Sequence, residues 1–347
     1  MRVPFDSSRW DWNGVGHEAD EHLGRPCVRL DPGDADGPIV TLRDVEIEDG
    51  VLEVELAVGA GRSFPGVVWR ARDAGNCESF FVRPHQVGNP DAIQYTPVSN
   101  GISSWQLYHG EGFWSPISFP TGDWFRIRVA FAGTRAEIDV AGGRALLCEL
   151  KRPVEPGRIG ILAGAADLRV SELTYDASRP SVAVPTPAVE SPGVITSWLV
   201  SDPFPETELA ESTVVEGRTW TPLGADPSGL LDLARLHPIR DGRDTVYARA
   251  IVHSEHAQVR RLDLGFSDRA LLYVNGTAFY RGDDSYRSRD YRFLGSIGWW
   301  DSVFVPLLAG TNELVVAVSE TFGGWGVQAR FADPSGLSFS GRRDGFV

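Results

Sequence analysis

Apolar and polar side chains alternate along much of the chain. In residues 123–133, Phe125, Ile127, Val129 and Phe131 fall on one side, with Arg126 and Arg128 on the other. Residues 136–140 repeat the pattern, Ala136, Ile138 and Val140 opposing Glu137 and Asp139. A period of two is that of a strand with one buried face. The same reading predicts strands at 51–58, 67–70, 79–83, 93–96, 105–109 and 158–162. Turn signals stand between them: Glu48-Asp49-Gly50, Asp73-Ala74-Gly75-Asn76, Ser99-Asn100-Gly101 and Gly142-Gly143. Short strands joined by Gly-rich turns predict an all-β first domain over residues 1–176, built as a β-sandwich.

Residues 177–194 break the alternation with four prolines, Pro180, Pro185, Pro187 and Pro192. Proline fixes φ and removes a donor, so this stretch reads as a semi-rigid linker. A second β-rich domain is predicted over 195–333, with strands at 246–252, 262–266, 271–274, 303–307, 314–319 and 327–331, and a tail at 334–347. Asn275-Gly276 between two apolar runs is a strong hairpin signal. One helix is expected at 227–236, with Asp226 as its N-cap, Pro227 at the first helical position, and Leu230, Leu233 and Ala234 on one side.

Composition narrows the function classes. The chain has 347 residues, and its formal net charge of −14 argues against nucleic acid and anionic membranes as partners. Lys151 is the one lysine, so Schiff-base or P-loop chemistry could only use it, and no G-x-x-x-x-G-K-[ST] surrounds it. This Arg-for-Lys skew reads as bacterial. The three cysteines, Cys27, Cys77 and Cys148, include no C-x-x-C pair. With no apolar run of 18 residues and no signal-like start, a cytoplasmic protein with buried thiols is expected; a chain trimmed of its signal peptide is the alternative. No cofactor is expected. The acidic turn Asp31-Pro-Gly-Asp-Ala-Asp-Gly37 has oxygen ligands suited to Ca²⁺ but lacks the distal Glu of an EF-hand, so it reads as solvated.

Candidate chemistry is densest between residues 78 and 111. Arg83, His85, Asp91, Gln94, Tyr95, Trp105, Gln106, Tyr108 and Glu111 gather there with Glu78. Amides and a guanidinium make paired hydrogen bonds to vicinal hydroxyls, and aromatic rings stack on the C–H face of a pyranose. Arg83, Gln94 and Gln106 are therefore expected to project from adjacent strands onto one concave face, with Tyr95, Trp105, Tyr108 and Glu111 beside them. The competing reading makes the aromatics core residues and the polar groups loop partners. Trp325, between glycines in Glu320-Thr-Phe-Gly-Gly-Trp-Gly326, is either a second stacking platform or a core plug.

Two family resemblances follow. Gly66-Val-Val-Trp-Arg-Ala-Arg-Asp, Glu78-Ser-Phe-Phe-Val-Arg-Pro, Trp105-Gln-Leu-Tyr, Trp124-Phe-Arg-Ile-Arg-Val and Gly157-Arg-Ile-Gly-Ile-Leu resemble the concanavalin A-like lectin/glucanase sandwich, in its laminin-G-like and 3-keto-disaccharide hydrolase branch. The likeness covers roughly residues 35–176 and lacks the E-x-D-x-x-E strand of laminarinases, so that catalytic pair is not implied. Ala270-Leu-Leu-Tyr-Val-Asn-Gly-Thr and Val303-Phe-Val-Pro-Leu-Leu-Ala-Gly-Thr-Asn-Glu-Leu-Val-Val-Ala-Val resemble the galactose-binding-like jelly roll of family 2 glycoside hydrolases. Together they imply two jelly-roll sandwiches; the expected partner is a neutral glycan or glycoside, because a net charge of −14 would repel a polyanion. The alternatives are a glycoside hydrolase or lyase using Glu78, Asp91 or Glu111 with His85, and a structural interaction protein. Both architectures host many functions, so the site must decide.

Overall fold

The computed structural model describes residues 1–5, 8–34, 37–185, 192–210, 212–214 and 217–340. The fold is all-β. Among the described residues there is no α-helix, only 3-10 turns at Pro84–Gln86, Glu206–Glu208 and Leu233–Arg235. Two compact units emerge, one formed by Met1–Gly101 with Tyr108–Thr186, the other by Ile102–Leu107 with Pro187–Val347.

The first unit is a sandwich of two antiparallel sheets. One runs in the order Gly143–Glu149, Arg135–Val140, Phe125–Ala132, Gly50–Ala57, Leu168–Asp176, Arg25–Asp31, Gly16–His22. The other places Ile93–Ser99, Asn76–Val82, Gly66–Asp73, Gly157–Leu162, Ile39–Ile47 and Trp10–Asp11 side by side. Alternation assigns the inner faces: Leu52, Val54, Leu56, Ile127 and Val129 meet Val67, Trp69, Phe80 and Val82 in one buried cluster. Trp69 and Phe131 bridge the sheets with ring centroids 6.0 Å apart. On the outer face of the first sheet, Arg126 lies 2.8 Å from Glu55 and Arg128 lies 3.1 Å from Asp139, cross-strand charge pairs of a solvated surface.

In the second unit, Trp220–Gly224, Ser197–Ser201, Thr245–Ser254, Gly310–Ser319, Arg269–Val274 and Thr277–Asp283 form one sheet. Leu231–Asp232, Gly326–Phe331, Gln258–Ser267 and Asp301–Leu307 form the other. Val246, Ala248, Leu272 and Val316 pack against Leu262, Leu264, Phe266, Val327 and Ala329 between them. The hairpin signalled by Asn275-Gly276 is present, joining Arg269–Val274 to Thr277–Asp283.

Four expectations need correction. The segment Ile102–Leu107 belongs to the second unit although it lies within the first half of the sequence. Residues 105–109 are turn and bend rather than strand. The Gln106 backbone bonds to Gly323 O at 2.8 Å and to Ile297 N at 3.0 Å, both loop groups. The helix at 227–236 does not form. Asp226 Oδ1 accepts from Ser228 N at 2.9 Å and Leu230 N at 3.1 Å, an Asx turn, and Gly229 has φ +93°, outside the helical region. Leu231 then pairs with Val327 in a strand. Finally, residues 334–347 are not all tail: Leu337–Ser340 pairs with Thr245–Ser254. Residues 186–191 of the expected linker, 35 and 36 of the acidic turn and 341–347 lie outside the described residues.

Candidate functional site

The first unit sorts the expected site residues by strand parity. Glu78 shares its face with Phe80 and Val82, so it points to the core and is fully buried. Its Oε2 accepts from the Tyr95 hydroxyl at 2.7 Å and its Oε1 from Arg152 N at 3.3 Å. The same hydroxyl accepts from Lys151 N at 2.8 Å. Burial pushes the Glu78 carboxyl up and the Tyr95 phenol well above its ordinary range. Glu78 and Tyr95 therefore serve the interior of the sandwich.

Arg83 and Gln94 lie on the opposite side, and both are buried. Arg83 donates from Nη1 to Asp91 O at 2.6 Å and from Nη2 to Gln94 Oε1; Gln94 Nε2 donates to Tyr108 O at 2.7 Å. Burial lowers the Arg83 guanidinium to about 10. Tyr108 is also buried, Asp91 half-buried and Glu111 exposed. His85 sits in the 3-10 turn with its ring edge-on to Phe64 at 5.7 Å, and burial holds it below the usual imidazole range. The expected catalytic set is thus not assembled: Asp91 is near enough to His85 for its charge to oppose that lowering, while Glu78 faces away from them into the core. Nor do Arg83, Gln94 and Gln106 share a face, since Gln106 is part of the second unit.

The second unit collects Trp105, Gln106 and Trp325, in different roles. Trp325 is a core plug, fully buried, with Nε1 donating to Val318 O at 3.0 Å. Gln106 is clamped between glycines. Its Nε2 donates to Leu294 O at 2.7 Å, and a Cβ on Gly295 or Gly323 would lie 2.3 or 2.0 Å from its amide. Half-buried Trp105 makes edge contacts with Tyr286 at 6.4 Å and Phe322 at 5.7 Å, and these two lie 6.0 Å apart. Phe322 is 55% exposed, so the three rings form an aromatic cluster open on one side.

Around this cluster stand carboxyls that sequence reading did not single out. Asp268 Oδ2 accepts from Thr321 N at 2.9 Å and Phe322 N at 3.2 Å. Glu320 Oε1 accepts from Gly324 N at 3.0 Å, while its Oε2 has no hydrogen-bond partner among the described residues. Asp284, two residues before Tyr286, is ion-paired with Arg289 Nε at 2.8 Å. Ser296 Oγ is buried without a partner among the described residues. Asp268, Asp284 and Glu320 are each at most 2% exposed. Burial raises all three, Asp284 to about 7, and Asp268 adds its charge to the rise at Glu320. Asp268, Asp284 and Glu320 each stand just past a strand end and Ser296 lies in the loop before Asp301–Leu307, four separate stretches of chain that leave no local pattern to read. Among the described residues no group of three or more His, Cys, Asp or Glu is arranged to hold a metal ion.

No family model matches the chain, and no curated protein does. Among solved structures, the chain is similar to a carbohydrate-binding module from Bacillus subtilis at 13% identity and a TM-score of 0.36, over 48% of this chain and 95% of that one. A Bacillus subtilis protein with a galectin-like fold matches at 8% identity and a TM-score of 0.40, over 52% of this chain and 96% of the other. Chicken galectin 2 matches at 10% identity and a TM-score of 0.30, over 38% of this chain and 95% of its own.

Proposed function

We propose that the protein binds a neutral glycan or glycoside, with the sugar held at the Trp105–Tyr286–Phe322 cluster of the second unit. The observation that carries this reading is the open aromatic surface: Trp105 meets Tyr286 and Phe322 edge-on, and Phe322 is 55% exposed with its backbone N–H held by Asp268. Rings so placed cover the C–H face of a pyranose. A net charge of −14 favours neutral sugars over polyanions.

This moves the site away from the face first expected. Arg83 and Gln94 spend their polar groups on Asp91 O, on Tyr108 O and on each other. The hydrolase reading on Glu78, Asp91 and Glu111 gains no support, because Glu78 is turned into the core. The test is calorimetric titration of a panel of neutral mono- and oligosaccharides against the whole chain and its Phe322→Ala variant. We expect binding in the former, weakened by about 1–2 kcal/mol in the variant, the scale of one lost aromatic contact. No binding across the panel, or equal binding by both proteins, would overturn the assignment.

A further inference from the structure

We propose that Asp268 and Glu320 act together as a clamp on residues 321–324 that holds only while one of the two carboxyls is neutral, positioning Phe322 and making that position depend on pH. The inference deepens the glycan reading only in its consequence for binding; the clamp itself stands on the geometry of the loop. Asp268 follows Gln258–Ser267, and Glu320 follows Gly310–Ser319. Their carboxyls hold the same short loop at successive points: Thr321 N and Phe322 N on Asp268, Gly324 N on Glu320. Arg269 supports the loop from the side, donating to Thr321 Oγ1 at 3.0 Å, while its Nε and Nη2 are committed to Glu206. Gln106 N closes it from above on Gly323 O at 2.8 Å.

The charges around the pair explain the sensitivity. Asp268 bears on Glu320 as a like charge, and Asp232 adds a second. Asp232 is itself held by Ala234 N at 3.1 Å and Ser104 Oγ at 3.3 Å. Asp284 N donates to Asp268 O at 2.7 Å, which brings a further carboxyl close, and its cation, Arg289, is shared with Asp301. Arg269 acts on both carboxyls as an opposite charge, and Glu206 draws on it at 2.7 Å. Asp268 N donates to Ser319 O at 3.0 Å and its Oδ2 accepts from Thr321 N at 2.9 Å, so it brackets Glu320, and two buried carboxyls so placed tolerate one negative charge far better than two. With one of them neutral, both still accept the loop N–H bonds and only one charge is buried. Loss of the neutral group's proton places two like charges side by side, and the relief available is release of the loop into water. Burial raises both groups, in keeping with a proton retained at neutral pH.

The test is hydrogen–deuterium exchange of the peptide spanning residues 321–325 in the whole chain, at pH 6 and pH 9, corrected for intrinsic base-catalysed exchange. Protection should fall by at least about tenfold at the higher pH, the size of one decade in an opening equilibrium. Glu320→Gln, a neutral isostere, should keep its protection at both values. Asp268→Asn, which also removes one charge, serves the same purpose if the first variant does not fold. Unchanged protection in the unaltered chain, or an equal fall in a folded neutral variant, would overturn the clamp. Titrating the saccharide panel at both pH values separates the two ideas. Failure to bind at either pH strikes the glycan reading, while the exchange result alone decides the clamp.

Discussion

Arg83 and Gln94 are partners of each other: the guanidinium donates to Gln94 Oε1, and the Gln94 amide passes the chain on to Tyr108 O at 2.7 Å. Both are at most 5% exposed, so their role is to satisfy polar groups inside the first unit. Arg83→Ala would remove the donor that serves both Gln94 Oε1 and Asp91 O. The expected cost is roughly 2–4 kcal/mol of stability, since an abandoned buried acceptor pays its full desolvation penalty. Urea unfolding should show this loss, and saccharide titration of the folded variant should show unchanged affinity.

Trp325 and Trp105 separate core from surface within the second unit. Trp325 is fully enclosed among Leu231, Val316 and Val327, so Trp325→Ala should cost about 3–5 kcal/mol through the cavity it leaves. Trp105 meets the rim rings Tyr286 and Phe322 and is only half-buried, and Trp105→Ala should lower stability less while weakening saccharide binding by about 1–2 kcal/mol. Parallel thermal melts and titrations check both. A larger stability loss at Trp105 than at Trp325 would reverse the assignment.

Strands such as Phe125–Ala132 and the Asn275-Gly276 hairpin were legible because local alternation and turn chemistry act within a few residues. Parity alone could also have turned Glu78 inward, since it falls in step with Phe80 and Val82. The expected helix failed where Gly229 and the Asx turn at Asp226 outweighed a short apolar spacing. The carboxyls at Asp268, Asp284 and Glu320 are brought together by sheet topology, and so is Gln106 from the distant segment Ile102–Leu107. Such long-range meetings leave no periodicity in the chain.

Gly323 offers a sharper probe of the packing around Gln106. Its φ is +108°, and a Cβ there would sit 2.0 Å from Gln106 Oε1. Gly323→Ala therefore combines a strained backbone with a steric clash, and should cost about 2–4 kcal/mol. Displacement of Gln106 should also alter the environment of the neighbouring Trp105, read as a change in near-ultraviolet circular dichroism. A variant with unaltered stability and spectrum would contradict the placement of that loop.

The cysteines should be silent in the native protein. Cys77 and Cys148 are buried, and burial pushes the Cys77 thiol up to about 12 and Cys148 higher still. Reaction needs the thiolate and access to it. Ellman's reagent should label neither until denaturant is added, while prompt labelling of either in native conditions would refute their burial.

Stability should decline as pH rises from about 5 to about 9. Asp284 is raised to about 7 and Glu320 to about 8, in both cases chiefly by burial, and Glu78 is raised for the same reason. In the unfolded chain these carboxyls ionise near about 4. Between those values the folded state binds more protons than the unfolded one, so raising the pH favours unfolding. The sign reverses on the acid side. Hydrogen bonding to Arg269 holds Glu206 low, and Arg169 does the same for Asp20, so their contribution is lost as pH falls below the ordinary carboxyl range. The two trends place the maximum near pH 5. Thermal midpoints measured from pH 3 to 9 should rise and then fall, and Glu320→Gln should flatten the alkaline limb while leaving the acid limb in place. A midpoint that keeps climbing from pH 5 to 9 would mean that these carboxyls are ionised in the folded protein, and the buried cluster would need another account.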